Sequence, residues 1–141
     1  MFSKACEYAS KIMIYLASKR DEDKLAGLKD IAKAINSPEA YTAKILQQLV
    51  RRELLLSVRG PNGGFGIHKN KEVSLMEVVM AIDGEGIVKK CILGLEVCSE
   101  NRPCPVHDKF VAVRDHLRGI LSTTLITEVG DGIEESIFFL K

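Results

Sequence analysis

The chain has 141 residues, of which 46% are apolar and 28% are charged; this suits one folded domain with a packed core and excludes a disordered chain. The net charge of +1 hides an asymmetry. Residues 1–71 carry 13 Lys or Arg against 7 Asp or Glu, whereas residues 72–141 carry 7 against 12. The basic N-terminal half favours a polyanion such as DNA as the partner, the alternative being a chance imbalance on a solvated surface.

The first twenty residues are largely apolar but contain Lys4, Glu7 and Lys11. They lack the uninterrupted apolar block of a signal peptide or a membrane span, so we expect a cytoplasmic protein with no membrane partner. In the reducing cytosol, clustered cysteines are more often metal-binding or catalytic than paired in disulfides.

Apolar periodicity predicts three helices in the basic half. Residues 3–18 have the helical spacing of a largely buried first helix, and residues 27–36 have that of a short amphipathic helix. Ser37 as the N-cap and Pro38 at the first helical position then open a third helix.

The third predicted helix has an apolar inner face, formed by Tyr41, Ile45, Leu46 and Leu49. Its outer face carries donors and cations that can contact base edges and phosphates, namely Thr42, Lys44, Gln47, Gln48, Arg51 and Arg52. We add Ser37 and Tyr41, near the helix start, to the predicted DNA-binding set. The pair of short helices is typical of a helix-turn-helix, although many helix pairs have polar outer faces without binding DNA.

A β-wing is predicted next, with strands over residues 54–58 and 65–68. The turn between them consists of Arg59, Gly60, Pro61, Asn62, Gly63 and Gly64. Its glycines permit positive φ and keep it slim enough to approach a phosphate backbone or enter a minor groove, with Arg59 as the cation.

Two further helices are predicted in the second half. Ser74 and Glu77 form a capping box that begins one of them, and Asp83-Gly84 ends it. The other carries apolar residues at alternating spacings of four and three, which favours packing on a partner copy or, equally, on its own domain. This seam consists of Val106, Phe110, Val113, Leu117 and Ile120.

Between these helices lies a C-x6-C-x5-C-x2-H run formed by Cys91, Cys98, Cys104 and His107. Such soft ligands select iron–sulfur clusters, zinc or copper(I). The gaps exceed the tight knuckle of structural zinc and suit a larger cofactor such as a [2Fe–2S] cluster. The alternatives are simple burial of the thiols and a disulfide or redox-thiol role. No oxyanion site or orienting group accompanies the cysteines, so an enzyme is not expected.

The tail, residues 128–141, offers no functional signal. We expect a short helix or strand that docks Ile137, Phe138 and Phe139 on the rest of the chain.

The order of these parts resembles the Rrf-type family of bacterial winged-helix transcriptional regulators (IscR/NsrR/CymR-like). The resemblance extends to about residue 125 and rests chiefly on the wing residues 59–65, Arg-Gly-Pro-Asn-Gly-Gly-Phe, and on the three spaced cysteines. It implies a mainly α fold with a small β-wing, that is, a winged helix-turn-helix with a long C-terminal dimerisation helix. It also implies a homodimer that binds promoter DNA.

The resemblance further implies that Cys91, Cys98 and Cys104 bind an iron–sulfur cluster. His107 falls where one branch of the family completes a [2Fe–2S] site, although the first gap here is six residues and that branch has five. Glu7 lies where other members offer a carboxylate, which makes it a rival fourth ligand. Cys6 is a further candidate, although simple burial in the helix is the stronger interpretation of that residue. A cluster with a histidine ligand is exposed enough to be lost from a sample handled in air.

We therefore predict a DNA-binding domain over residues 1–83, a cluster-binding loop over 84–107, and a dimerisation helix with tail over 108–141. The expected function is a homodimeric transcriptional regulator that binds a near-palindromic operator and senses iron–sulfur, redox or nitric oxide status. The alternatives are a zinc- or thiol-based redox sensor and a metal or redox carrier that does not bind DNA.

Overall fold

The computed structural model describes residues 1–134 and 139–141. The elements in that part of the chain are α1 (Lys4–Ser18), α2 (Leu28–Ala34), α3 (Glu39–Arg51), β1 (Leu56–Val58), β2 (Gly64–Gly66), α4 (Leu75–Ile82), α5 (Gly86–Lys89), α6 (His107–Thr123) and α7 (Ile126–Glu134). This mainly helical chain with one two-stranded antiparallel sheet confirms the predicted winged-helix class.

The core is built around α1, as the apolar spacing of residues 3–18 predicts. Ser3 caps this helix by accepting a hydrogen bond from the Cys6 backbone N–H at 3.1 Å. The inner face of α1 is fully buried against α2, α3, α4 and α7, and Ile12 and Met13 are the largest side chains it contributes. The helix-turn-helix is therefore mounted on a continuous apolar core.

The start of α3 corrects one prediction. Pro38, with φ −59° and ψ 135°, is the N-cap, so the helix begins at Glu39 and not at the proline. The predicted N-cap role of Ser37 is wrong, because the extended backbone of Pro38 separates it from the first helical residue. The Ser37 hydroxyl oxygen instead lies 3.0 Å from the Thr42 hydroxyl oxygen.

The wing is present but shorter than predicted. β1 pairs with β2 in antiparallel register, with Leu56 opposite Gly66. Leu54 and Leu55 precede the strand and are buried, so they anchor the wing to the core instead of extending it. The backbone of Phe65 also exchanges hydrogen bonds of 2.8 and 3.0 Å with Ala26, which fixes the wing to the segment before α2.

The Ser74–Glu77 capping box of α4 is confirmed, and Asp83 with Gly84 ends the helix as predicted.

The tail differs from its prediction. α7 packs closely on α1, since a Cβ on Gly130 would lie 2.9 Å from the Cβ of Ala17. The predicted docking of Phe139 is wrong, because its side chain is 82% exposed. In the part of the tail that the structure describes, α7 makes the contact with α1. Ile137 and Phe138 lie outside the described residues.

Candidate nucleic-acid interface and metal centre

The outer face of α3 is a polar, cationic surface, defined here by Lys44, Gln47, Gln48, Arg51 and Arg52. All five side chains are exposed, while Ile45, Leu46 and Leu49 on the opposite side are buried. The 3.6-residue period of the helix produces this division. The surface therefore combines amide groups that can hydrogen-bond to base edges with cations that can contact phosphates.

Three predicted DNA-binding residues at the start of α3 do not lie on that surface. Ser37 precedes the helix and is half-buried. Thr42 is fully buried, and its hydroxyl lies 2.9 Å from the Pro38 carbonyl oxygen, so its placement on the outer face is wrong. The physical reason is that residue 42 lies one helical turn before Ile45 and on the same buried face as Ile45 and Leu49. Tyr41 is half-buried and packs edge-on against Tyr8, with ring centroids 5.5 Å apart.

The tip of the wing is a slim, exposed turn. Arg59, Gly60, Pro61 and Asn62 are exposed, and the Gly63 N–H donates to the Gly60 carbonyl oxygen at 2.9 Å. Gly64 has φ +146°, and a Cβ there would lie 2.6 Å from the Ala26 carbonyl oxygen. The turn thus requires glycine at position 64 for both backbone conformation and close packing, and it leaves the Arg59 side chain exposed.

The structure brings the three loop cysteines together. The sulfur atoms of Cys91, Cys98 and Cys104 all lie within 4.8 Å of one another. Cys91 Sγ is 3.7 Å from Cys104 Sγ, and Cys98 Sγ is 3.0 Å from Nδ1 of the buried His107. The thiols are partly buried and unpaired in disulfides. Although Cys91 and Cys104 are 13 residues apart in sequence, the three cysteines and His107 form one compact group, called the thiol–imidazole centre below.

The loop backbone and the start of α6 hold this centre in place. His107 is the first residue of α6, and its backbone N–H donates to the Cys104 carbonyl oxygen at 3.0 Å. Ser99 and Arg102 exchange backbone hydrogen bonds of 3.0 and 3.3 Å, which folds the chain back between Cys98 and Cys104. The predicted loop also contains the short helix α5, which the sequence analysis missed.

The thiols differ in acidity. The pKa of Cys91 lies below its ordinary value, chiefly because the Leu93 backbone N–H hydrogen-bonds to the sulfur. For Cys98, the backbone N–H of Cys104 lowers the pKa, but desolvation and the neighbouring thiols outweigh it and the net shift is upward. A metal ion that binds Cys98 must therefore displace a proton that the raised pKa of this thiol favours.

Three sulfurs within 4.8 Å of one another, with an imidazole nitrogen 3.0 Å from one of them, fit an iron–sulfur cluster or a single zinc ion as a donor set. Glu7 is not part of this group in the same chain, because it is exposed on α1 and its carboxylate lies 2.9 Å from Lys4 Nζ. Cys6 is also separate. It is buried in a second apolar cluster with Val79 and Leu121, and burial raises the pKa of its thiol to about 11.

The apolar seam of α6 is divided between two environments. Leu117 packs on the second apolar cluster of its own chain, which is the alternative the sequence left open. Val113 and Ile120 remain exposed, whereas Val106 and Phe110 are half-buried near the thiol–imidazole centre. Part of the seam is thus free to contact another molecule.

Sequence reasoning assigned no role to Arg114 and Arg118. Their guanidinium groups bind backbone carbonyls at the end of α5, immediately before Cys91. The spacing of four residues on a predicted helix was the available signal, because it places both side chains on one face. No spacing rule reveals which backbone such a face will meet.

These features define a winged helix-turn-helix protein with a thiol–imidazole centre in the loop that leads into α6. The chain belongs to the Rrf2 family, described as iron-dependent transcriptional regulators, whose pattern it matches over residues 2–131. The family consists of regulators and not enzymes.

No helix in residues 1–134 or 139–141 is long and apolar enough to span a membrane.

Comparison with individual proteins agrees with this membership. The chain is 28% identical to the HTH-type transcriptional regulator IscR of Photorhabdus laumondii, over 86% of this chain and 74% of that protein. It is 26% identical to the HTH-type transcriptional regulator CymR of Bacillus subtilis, over 94% and 93% of the two chains. The solved structure of CymR, the global cysteine regulator of B. subtilis, superposes with a TM-score of 0.77 at 24% identity, over 92% and 95% of the chains.

Proposed function

We propose that the protein is a cytoplasmic, homodimeric transcriptional regulator that binds a near-palindromic operator and senses iron–sulfur, redox or nitric oxide status. A [2Fe–2S] cluster would be held by Cys91, Cys98, Cys104 and His107. The observation that carries the proposal is the thiol–imidazole centre, in which three sulfurs lie within 4.8 Å of one another and an imidazole nitrogen lies 3.0 Å from one of them.

The DNA-binding part of the proposal rests on two exposed surfaces of one domain. The outer face of α3 suits the major groove, with Gln47 and Gln48 facing base edges and Lys44, Arg51 and Arg52 facing phosphates. Arg59 at the wing tip suits the minor groove or the adjacent phosphates. A dimer would repeat both surfaces about one helical turn of DNA apart, which is why we expect a near-palindrome.

The dimer itself is proposed from α6. Exposed Val113 and Ile120 lie on the seam that also carries Phe110, so a second copy of α6 would remove apolar side chains from water. The seam is too short for an independent coiled coil, and Leu117 already packs on its own chain. We therefore expect α6 to contribute one part of a larger dimer contact.

When bound, the cluster supplies a centre that reacts with oxidants and nitric oxide. The chain's own contribution is a loop that connects α5 to α6 and whose ligands come from both the loop and the start of α6. The loop would have two states. A change from one to the other can shift DNA affinity only by as much as the two states differ in their free energy of DNA binding.

The first experiment is an oxygen-free purification with the visible spectrum, iron, sulfide and zinc measured on one sample. We expect charge-transfer absorption with equal amounts of iron and sulfide, and loss of both in Cys98→Ala. His107→Gln should alter the spectrum, whereas Glu7→Gln should leave it unchanged. A spectrum altered by Glu7→Gln alone would instead assign the fourth ligand to that carboxylate.

DNA binding is tested separately, by measuring affinity for promoter DNA at several salt concentrations. Arg59→Ala should weaken binding and reduce the salt slope by about one per subunit, because a phosphate contact is lost. Arg102→Ala, which removes an exposed arginine from the cysteine loop, is the matched control and should leave the slope unchanged. Equal slopes for Arg59→Ala and the unchanged protein would contradict the wing assignment.

A zinc-based sensor is a second candidate, because the same compact donor set suits one tetrahedral zinc ion with three cysteines and one histidine. A colourless protein with one zinc per chain, together with intact DNA binding, would establish it. A colourless protein that neither reconstitutes a cluster nor binds zinc would leave a thiol-based sensor.

A further inference from the structure

Two arginines of α6 hold the backbone that leads into the cysteine loop. Arg114 Nη1 donates hydrogen bonds to the carbonyl oxygens of Lys89 at 3.0 Å and Lys90 at 2.9 Å. Arg118 Nη2 donates to the carbonyl oxygen of Val88 at 3.0 Å. These three carbonyls are consecutive, and the next residue along the chain is Cys91.

The carbonyls are available because α5 is only four residues long. The last carbonyls of a helix have no partner within it, so they accept from solvent or from other side chains. A guanidinium is a strong donor for this purpose because it carries a full charge and several N–H groups in one plane. Asp115 further orients Arg118 by accepting from its Nη1 at 2.9 Å, which leaves Nη2 for Val88.

The same helix supplies a ligand of the thiol–imidazole centre. α6 begins at His107, so the imidazole and the two arginines belong to one rigid element. The chain segment 91–106 is consequently closed at its base, with its first end hydrogen-bonded to α6 and its second end continuous with α6. Closing a loop in advance removes part of the entropy cost of bringing distant residues together.

We propose that Arg114 and Arg118 are positioning residues for the metal centre, fixing the Cys91 end of the loop relative to His107 on α6. Neither guanidinium is hydrogen-bonded to a thiol; each acts through the backbone before Cys91. The inference rests on the proposed metal-binding function of the loop. Partners outside the ligand set commonly change metal retention when they are removed, because they orient the ligands.

The test compares the unchanged protein with Arg114→Gln/Arg118→Gln, both reconstituted without oxygen. We expect the double variant to release iron to a chelator about tenfold faster, with altered circular dichroism in the visible region. Arg114→Lys should be intermediate, since an ammonium keeps the charge but not the planar fork. Lys109→Gln removes an exposed charge from the same helix and should match the unchanged protein.

A second readout needs no metal. Hydrogen exchange on the apo protein should show faster exchange over residues 88–93 in the double variant and no change in α3. If the unchanged protein binds neither iron nor zinc, the proposed function fails, while this exchange comparison still reports whether the arginines hold the loop base. Should the double variant not fold, Arg114→Gln alone removes two of the three hydrogen bonds. Equal iron release, dichroism and exchange in all variants would overturn the positioning role.

Discussion

The winged helix-turn-helix and the cysteine loop are stabilised in different ways. In the former, side chains of α1, α2, α3 and α4 form one continuous buried core. In the loop, large apolar side chains stay in contact with solvent, and the backbone is held by a few hydrogen bonds and by the thiol–imidazole centre. The exposed apolar residues of the loop are Ile92, Leu93, Leu95 and Val97.

Under the proposed function, this contrast would separate DNA binding from sensing. The outer face of α3 is fixed by buried residues behind it, so its shape does not depend on the state of the loop. The loop has little apolar burial to lose and can therefore change conformation at low cost in free energy. A regulator built this way can alter its loop without unfolding its helix-turn-helix.

The sharpest test of the contrast is the same substitution in both regions. Leu46 is 0% exposed and Leu93 is 54% exposed. Leu46→Ala should lower the free energy of unfolding by about 2–5 kcal/mol, because it leaves a cavity in the core. Leu93→Ala should change it by less than about 0.5 kcal/mol. Urea denaturation of the metal-free protein measures both, and comparable losses would show that the loop is as tightly packed as the core.

A smaller difference is expected between two glycines with positive φ. Gly64 has φ +146° and no room for a Cβ, whereas Gly94 has φ +70° and nothing within 4 Å of the added atom. Gly94→Ala should cost about 1–2 kcal/mol from backbone conformation alone. Gly64→Ala should cost about 1–3 kcal/mol more, because the wing must shift away from Ala26.

Thermal unfolding measures the stability difference between the two glycine variants. A DNA-binding assay measures whether the displaced wing also changes the affinity for DNA. Gly64→Ala should weaken DNA binding through the displaced wing, and Gly94→Ala should not affect the metal-free protein's affinity. If the two variants lose equal stability, the close contact between Gly64 and Ala26 is relieved without displacing the wing.

Much of the fold followed from local sequence signals. The periods of α1, α3 and α4, the Ser74–Glu77 capping box and the glycine-rich turn each report a local conformation, and each was confirmed. The errors occurred where a residue near an element's end responds to distant packing. Leu54 and Leu55 have strand composition but fill the core, and Thr42 is polar but lies on the buried stripe.

The candidate site was predictable in composition but not in arrangement. Sequence spacing identified Cys91, Cys98, Cys104 and His107 as a soft-ligand set, yet spacing cannot tell whether a long loop folds back on itself. The Ser99–Arg102 turn and the arginines of α6 determine that closure. The arginine contacts join residues 24 to 30 apart in sequence, so no periodicity predicts them. The assignment of the four ligands and of the three domain segments remains a prediction.

The last prediction compares two kinds of thiol without changing the fold. Cys6 is buried, and its pKa is raised from 9.0 to about 11, mainly by desolvation, whereas the loop thiols are partly buried. Only a thiolate reacts quickly, so iodoacetamide at pH 8 should modify Cys91, whose pKa is lowered, and spare Cys6 in the metal-free protein. Peptide mass spectrometry locates the modified residues.

The raised pKa also fixes the sign of a pH effect. Between pH 9 and about 11 the unfolded Cys6 thiol ionises while the folded one stays protonated, so the unfolded state loses protons that the folded state keeps. Stability should fall over that interval, and Cys6→Ala should remove this component of the fall. Rapid modification of Cys6 at pH 8, at the rate of Cys91, would mean that α1 opens to solvent as readily as the loop. The contrast between a rigid helix-turn-helix and a yielding loop would then not hold.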